Sequence, residues 1–166
     1  MGSIITGVTN EPFCEDFSKL MKAEFEMSMM GELKFFLGLQ IKQTNNGIYI
    51  NQAKYVKQLI KKFKLEDGKE MKTLMHPTTC LGLDEESNKV GNSQYRAMIG
   101  SLLYLTTSKP NILFSVGLCV IFQQDPKEVH LTIVKRIFRY LIGTCNFGIY
   151  FMYNREFRLI SYRDTD

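Results

Sequence analysis

Apolar residues in this chain first recur at helical spacing, then alternate, then return to helical spacing. Phe13, Phe17, Leu20, Met21 and Phe25 keep the spacing of one helix face. Asn10 ahead of Glu11-Pro12 reads as its N-cap, with proline in the first turn. Leu39 and Ile41 then alternate with Gln40 and Lys42, and Ile48 and Ile50 flank Tyr49, the period of half-buried strands. Asn46-Gly47 between them predicts a type I′ turn, because both central residues of that turn need positive φ. The strands run into a helix from about Gln52 to Lys64. Val56, Leu59, Ile60 and Phe63 make one of its faces, and Lys54, Lys57, Lys61 and Lys64 make another.

Residues 66–92 show no period. Pro77, several Thr and Ser residues and the run Asp84-Glu85-Glu86 mark a loop or linker. Three helices are predicted after it. Ser93 to Thr107 presents Tyr95, Met98, Ile99, Leu102 and Leu103 on one face. Pro110 to about Gln123 is apolar almost all round and is expected to be the central, most buried helix. The third starts at Asp125-Pro126-Lys127-Glu128, close to a capping box, turns Ile133, Val134, Ile137 and Leu141 inward, and stops near Gly143. Phe147 to Asp166 alternates again and predicts a C-terminal β-hairpin. The fold class is therefore α+β: a β-hairpin with flanking helices, a three-helix unit and a terminal hairpin.

With 166 residues, of which 45% are hydrophobic and 23% charged, the chain can build a core without disulfides or metals. The apolar run Ile112 to Phe122, broken by Ser115 and Gly117, is about half the length of a membrane span. No targeting signal is read at the start, so an intracellular protein, cytoplasmic or nuclear, is expected. Cys14, Cys80, Cys119 and Cys145 form no CxxC pair and read as reduced thiols. The net charge of +4 is unevenly placed. Residues 1–90 hold 12 basic and 12 acidic side chains, and residues 91–166 hold 9 and 5.

Three long strings carry a family resemblance. MSMMGELKFFLGLQI (Met27 to Ile41), SQYRAMIGSLLYLTTSKPNILFSVGLC (Ser93 to Cys119) and DPKEVHLTIVKRIFRYLIGT (Asp125 to Thr144) resemble the reverse transcriptase region of copia-type LTR retrotransposon polyproteins of plants, in the family's order. The resemblance implies a map. Residues 1–65 correspond to the end of the palm, the primer-grip hairpin around Leu37-Gly38 and the first thumb helix. Residues 66–92 are a linker, residues 93–146 a three-helix thumb/connection region, and residues 147–166 the first strands of a ribonuclease H domain.

The same map marks departures. The family's paired catalytic aspartates precede an Ile-Ile dipeptide like Ile4-Ile5, and here those places hold Gly2 and Ser3. Phosphoryl transfer by a polymerase needs carboxylates holding two Mg²⁺ about 4 Å apart, which glycine and serine cannot supply. Asp164 matches the first metal-binding aspartate of ribonuclease H, with Arg163 where the family usually has serine. Asp164 with Asp166 could form a metal pair, but they stand on a terminus without further acids, and no metal site is expected. Asn111 and Val120-Ile121 also depart from the family pattern. The expectation is a truncated, catalytically inactive derivative with no metal site and no cofactor of its own, whereas the intact family enzyme uses Mg²⁺.

The candidate nucleic-acid contacts are Phe36, Leu37, Gly38 and Tyr49 of the hairpin, the stripe Lys54, Lys57, Lys61 and Lys64, and the patch Lys135, Arg136 and Arg139 near Lys127. For both basic groups a solvated surface remains the alternative. Tyr49 and Phe36 either stack on bases or fill a core. His130 is read as a surface or capping residue, and His76 has no metal partner at a recognisable spacing. The expected partner is an RNA–DNA hybrid or another nucleic acid, with no membrane. The alternatives are a protein partner or self-association through apolar surface along Phe13, Phe17 and Phe35 to Leu37, or a piece of a longer polymerase polyprotein.

Overall fold

The computed structural model describes residues 11–28, 31–75 and 87–153. Among them are five α-helices, a short 3₁₀ turn and one four-stranded antiparallel sheet, an α+β architecture. The chain divides into two compact units, residues 1–33 and residues 34–166. Several expectations fall outside the described residues: the Asn10 cap, Gly2 and Ser3, His76, Pro77, Cys80, the acidic run at 84–86, and the tail with Arg163, Asp164 and Asp166.

The first unit contains α1 (Glu11–Glu24). Its helical spacing is as the sequence predicts, yet the face is open: Phe13 is 64% and Leu20 68% exposed.

The second unit pairs its strands in chain order. They are β1 (Phe35–Phe36), β2 (Leu39–Thr44), β3 (Gly47–Asn51) and β4 (Gly148–Met152). Its helices are α2 (Ala53–Lys62), α3 (Asn92–Leu105), α4 (Leu113–Val120) and α5 (Glu128–Gly143). The core is one cluster drawn from all four. Val56, Leu59 and Ile60 of α2 meet Tyr95, Met98, Ile99, Leu102 and Leu105 of α3 and Ile133, Val134, Ile137, Phe138 and Leu141 of α5. Burial at i, i+3, i+4 and i+7 is what drives each of these helices, since isolated helices of this length are marginal in water.

The structure corrects the sequence reading in five places. The segment after Pro110 is not the central helix. It opens as a 3₁₀ turn, buries only Ile112, Val116, Cys119 and Ser115, and leaves Leu113, Phe114 and Ile121 exposed, Phe114 by 74%. The core is already closed by α3 and α5, so an all-round apolar helix is left with a surplus face. Leu103 is exposed rather than inward. The hairpin turn lies on Asn45-Asn46, not Asn46-Gly47, and neither asparagine has positive φ. Gly47 is instead taken into the sheet, paired with Thr44 and Met152.

The fourth correction concerns α5, which starts at Glu128 with Lys127 as N-cap. Asp125 does not cap it and forms ion pairs with Lys89 (3.2 Å) and Lys127 (3.6 Å). Residues 88–90 hold 126–128 extended through Val90 N–H to Pro126 O (2.9 Å) and Glu128 N–H to Asn88 O (3.0 Å). Finally, β4 is not half of a separate terminal hairpin among the described residues. It is the edge of the first sheet, joined to β3 along its whole length. The other expected tail strand lies outside the described residues.

Candidate nucleic-acid interface

The hairpin tip is built by a local rule applied to an unusual residue. Leu37 (φ 47°) and Gly38 (φ 76°) are the two residues between the paired Phe36 and Leu39, the φ signs of a type I′ turn. Leu37-Gly38 therefore carries the primed turn, between β1 and β2, that the sequence pattern placed at Asn46-Gly47. Glycine suits its place twice over, because a Cβ at Gly38 would lie 3.2 Å from the Tyr104 hydroxyl. Tyr104 of α3 packs edge-on against Tyr55 of α2, with ring centroids 5.2 Å apart. The Lys54 backbone N–H donates to Gln40 Oε1 (2.8 Å), and the Lys54 ammonium sits 4.2 Å from the centre of the Phe35 ring. A cation over an aromatic face is worth about 0.5–1 kcal/mol at an exposed site. The tip is thus fastened to the start of α2 and to α3, while Phe36 and Leu37 stay exposed, Leu37 by 70%.

The candidate residues divide by surroundings. Lys57 and Lys61 are exposed on α2, and Lys62, which the stripe omitted, is exposed beside them with its ammonium 5.4 Å from the Phe63 ring. Lys64 is exposed but lies past the helix end, at φ 55°. Tyr49 is half-buried, and its hydroxyl donates to the Asn146 carbonyl, tying β3 to the segment before β4. Phe36 remains exposed. Arg136 donates to Thr73 O (3.3 Å) and Thr73 Oγ1 (2.7 Å), so its guanidinium holds the loop after α2 against α5. Lys135 is half-buried and Arg139 exposed. α2 and α5 are neighbours in the core, where Phe63 and Phe138 lie 5.3 Å apart, so both basic groups sit on adjoining helices.

His130 is a cap, as read, but buried rather than on the surface. Its Nδ1 accepts the Lys127 backbone N–H (3.1 Å), and its ring stacks on Phe122 with centroids 4.0 Å apart.

Sequence reasoning missed a buried polar junction. Gln52, fully buried at the β3–α2 corner, accepts a hydrogen bond from Ser108 Oγ (2.7 Å). Next to it, Lys109 is 2% exposed, and its ammonium donates to the carbonyls of Thr144 (2.7 Å), Cys145 (3.3 Å) and Phe147 (2.8 Å). No periodicity singles out Lys109. The only local signal is that it precedes a proline.

Burial also moves acid–base equilibria. Desolvation pulls the Lys109 ammonium below the usual lysine range, with Cys145 opposing. It pushes the Cys119 thiol up to about 11 and the Tyr95 phenol, which donates to Cys119 O (2.8 Å), well above its ordinary value. The Lys89 contact, with Lys127 adding to it, holds exposed Asp125 below the carboxylate range. Among the described residues no three His, Cys, Asp or Glu side chains converge to hold a metal ion, and no helix is long and apolar enough to cross a membrane.

Comparison with known proteins gives the context for this surface. The sequence profile of the reverse transcriptase (RNA-dependent DNA polymerase) family matches residues 3–77. The Retrovirus-related Pol polyprotein from transposon RE1 of Arabidopsis thaliana is 32% identical over 88% of this chain and 10% of its own length. The corresponding polyprotein from transposon TNT 1-94 of Nicotiana tabacum is 28% identical over 75% of this chain, again 10% of its own length. A protein named as an uncharacterized mitochondrial protein of Arabidopsis thaliana is 28% identical over 88% of this chain and 60% of its length. The chain thus spans about a tenth of the Pol polyproteins it matches. No solved structure matches it. Together, the match over residues 3–77 and the relatives that cover most of the chain identify it as a homologue of the reverse transcriptase region of copia-like transposon Pol polyproteins.

Proposed function

We propose that this chain is a non-catalytic, nucleic-acid binding module that keeps the primer–template contact surface of its relatives. The observation that carries the reading is the docking of the I′ hairpin tip onto the base of the lysine-bearing helix. Phe36 and Leu37 are presented beside Lys54, and the exposed Lys57 and Lys61 follow along α2. An apolar tip next to a run of ammonium groups suits a duplex end, where bases meet phosphates. In this reading the hairpin acts as a primer grip, and α2 to α5 act as thumb and connection. The Mg²⁺ of the intact enzyme has no fitting donors where the family's aspartates would stand, since Gly2 and Ser3 occupy those places.

Titrating an RNA–DNA hybrid at several salt concentrations tests this directly. The logarithm of affinity is expected to fall with the logarithm of salt by roughly 0.7–0.9 per phosphate contact. Lys57→Ala with Lys61→Ala should flatten that slope by about 1.5, from the same relation. Absence of binding at low salt, or a slope untouched by the double substitution, would refute the assignment.

A second reading rests on a different observation. The open apolar faces of α1 (Phe13, Leu20) and α4 (Leu113, Phe114, Ile121) favour a protein interaction module. Sedimentation at rising concentration checks it: association that Phe114→Ser weakens supports it, and a monomer that binds no hydrophobic dye opposes it.

A further inference from the structure

Two adjacent residues on the loop between α3 and α4 reach both corners at which the sheet joins the helices. Ser108 holds Gln52, the residue linking β3 to α2. Lys109 holds three carbonyls in the segment linking α5 to β4. β3 and β4 are neighbouring strands of the one sheet.

We infer that Ser108 and Lys109 are a positioning pair that fixes the sheet, and with it the hairpin tip, against the lysine-bearing α2. Geometry favours this over a packing role. A lysine ammonium has three N–H donors, and Lys109 spends all three on carbonyls. Two of these, Thr144 and Cys145, stand at the C-terminal end of α5, where the helix dipole favours a cation. The third, Phe147, is the residue immediately before β4. One charge therefore ends a helix and starts a strand. The Tyr49 hydroxyl on the Asn146 carbonyl adds a tie from β3 to the same segment. A buried ammonium is costly unless fully hydrogen-bonded, so the junction has one low-energy arrangement. Desolvation of the amine is consistent with that enclosure.

Hydrogen exchange followed residue by residue separates positioning from general stability. In Lys109→Met, amides of Ile149–Met152 and Ile48–Ile50 are expected to exchange about tenfold faster or more, the scale of losing a charged hydrogen bond. Interior amides of α3 and α5, such as Leu102 and Ile137, should keep their protection. Ser108→Ala releases only the Gln52 link and should loosen the β3–α2 corner alone. It decides the matter if Lys109→Met fails to fold. A uniform rise that includes α3 and α5, or no rise in the sheet with either variant, would overturn the inference.

The binding arm rests on the nucleic-acid reading above. With the same RNA–DNA hybrid, Lys109→Met should weaken affinity while leaving the salt slope of the wild type unchanged. Lys57→Ala should lower the slope itself. A slope lost in Lys109→Met would mean direct phosphate contact and would overturn positioning. If the wild-type protein binds no hybrid, the nucleic-acid reading fails, and the exchange experiment still judges the pair.

Discussion

Lys64 carries a backbone that lysine disfavours. α2 ends with Leu65 N–H bonding to Ile60 O (2.9 Å) and Lys64 N–H bonding to Lys61 O (3.1 Å), the paired bonds of a Schellman stop. That stop puts Lys64 at φ 55°, a conformation costing a residue with a Cβ roughly 1–2 kcal/mol. Lys64→Gly should relieve the strain and, after glycine's own entropy cost, raise stability by about 0.5–1 kcal/mol. A higher urea midpoint at constant m-value checks it; a lower midpoint would mean that the lysine stem is needed where it lies. The sequence counts Lys64 as the fourth member of a helical stripe, since no glycine or proline marks the stop. The partly buried Leu65, packed on the core, sets the stop instead, which is a tertiary cause invisible to spacing.

At the level of elements, glycines sort into those that need their missing side chain and those that do not. A Cβ on Gly148 would stand 2.2 Å from Ile50 O, and one on Gly47 would stand 2.2 Å from Phe151 O. These positions close the two ends of the β3–β4 pair. Gly148→Ala should push the strands apart at a cost of about 1–3 kcal/mol, typical of overpacking. Gly100 in α3 and Gly117 in α4 have nothing within 4 Å of an added Cβ. Alanine at either should stabilise by about 0.5–1 kcal/mol, because glycine is a poor helix residue. Melting temperatures of the three variants moving in opposite directions would bear this out, and a common direction would contradict it. The same strands show where the sequence is legible. Alternation at Leu39, Ile41, Ile48 and Ile50 finds β2 and β3, and helical spacing finds the buried positions of α2, α3 and α5. Spacing cannot say that β4 joins β3 from about a hundred residues away, nor that this pairing draws Gly47 out of the turn. In the candidate site, the exposed Lys57 and Lys61 are legible from pattern, and Leu37 only from the family resemblance. Lys109, Ser108 and Gln52 are not, because a buried polar junction has no period.

Over the whole molecule, the buried titratable groups set how stability answers to alkali. Cys119, ordinarily near 9.0, is raised to about 11 by burial, and Tyr95 is raised from 10.0. A group whose folded pKa is raised contributes stability that is complete below its unfolded pKa and lost as pH climbs through the folded one, since the unfolded chain gives up its proton first. Lys109 is shifted the other way, down from 10.5, so it sheds its proton in the folded state first and lends stability as pH rises towards 10.5. Of the two raised groups, Cys119 begins to act at the lower pH, because its unfolded value lies near 9.0 and that of Tyr95 at 10.0. Between pH 9 and 10 it alone should remove about 1 kcal/mol, within a limit of about 1.4 kcal/mol per pH unit. Tyr95 joins above pH 10, and Lys109 opposes both. Urea unfolding at pH 8, 9 and 10 should therefore show a decline beginning near pH 9, and Cys119→Ala should delay its onset towards pH 10. A decline of the same onset and slope in that variant would mean that the thiol is not the group responsible. The buried Tyr95–Cys119 contact between α3 and α4 would then have to be more open to solvent than its geometry allows.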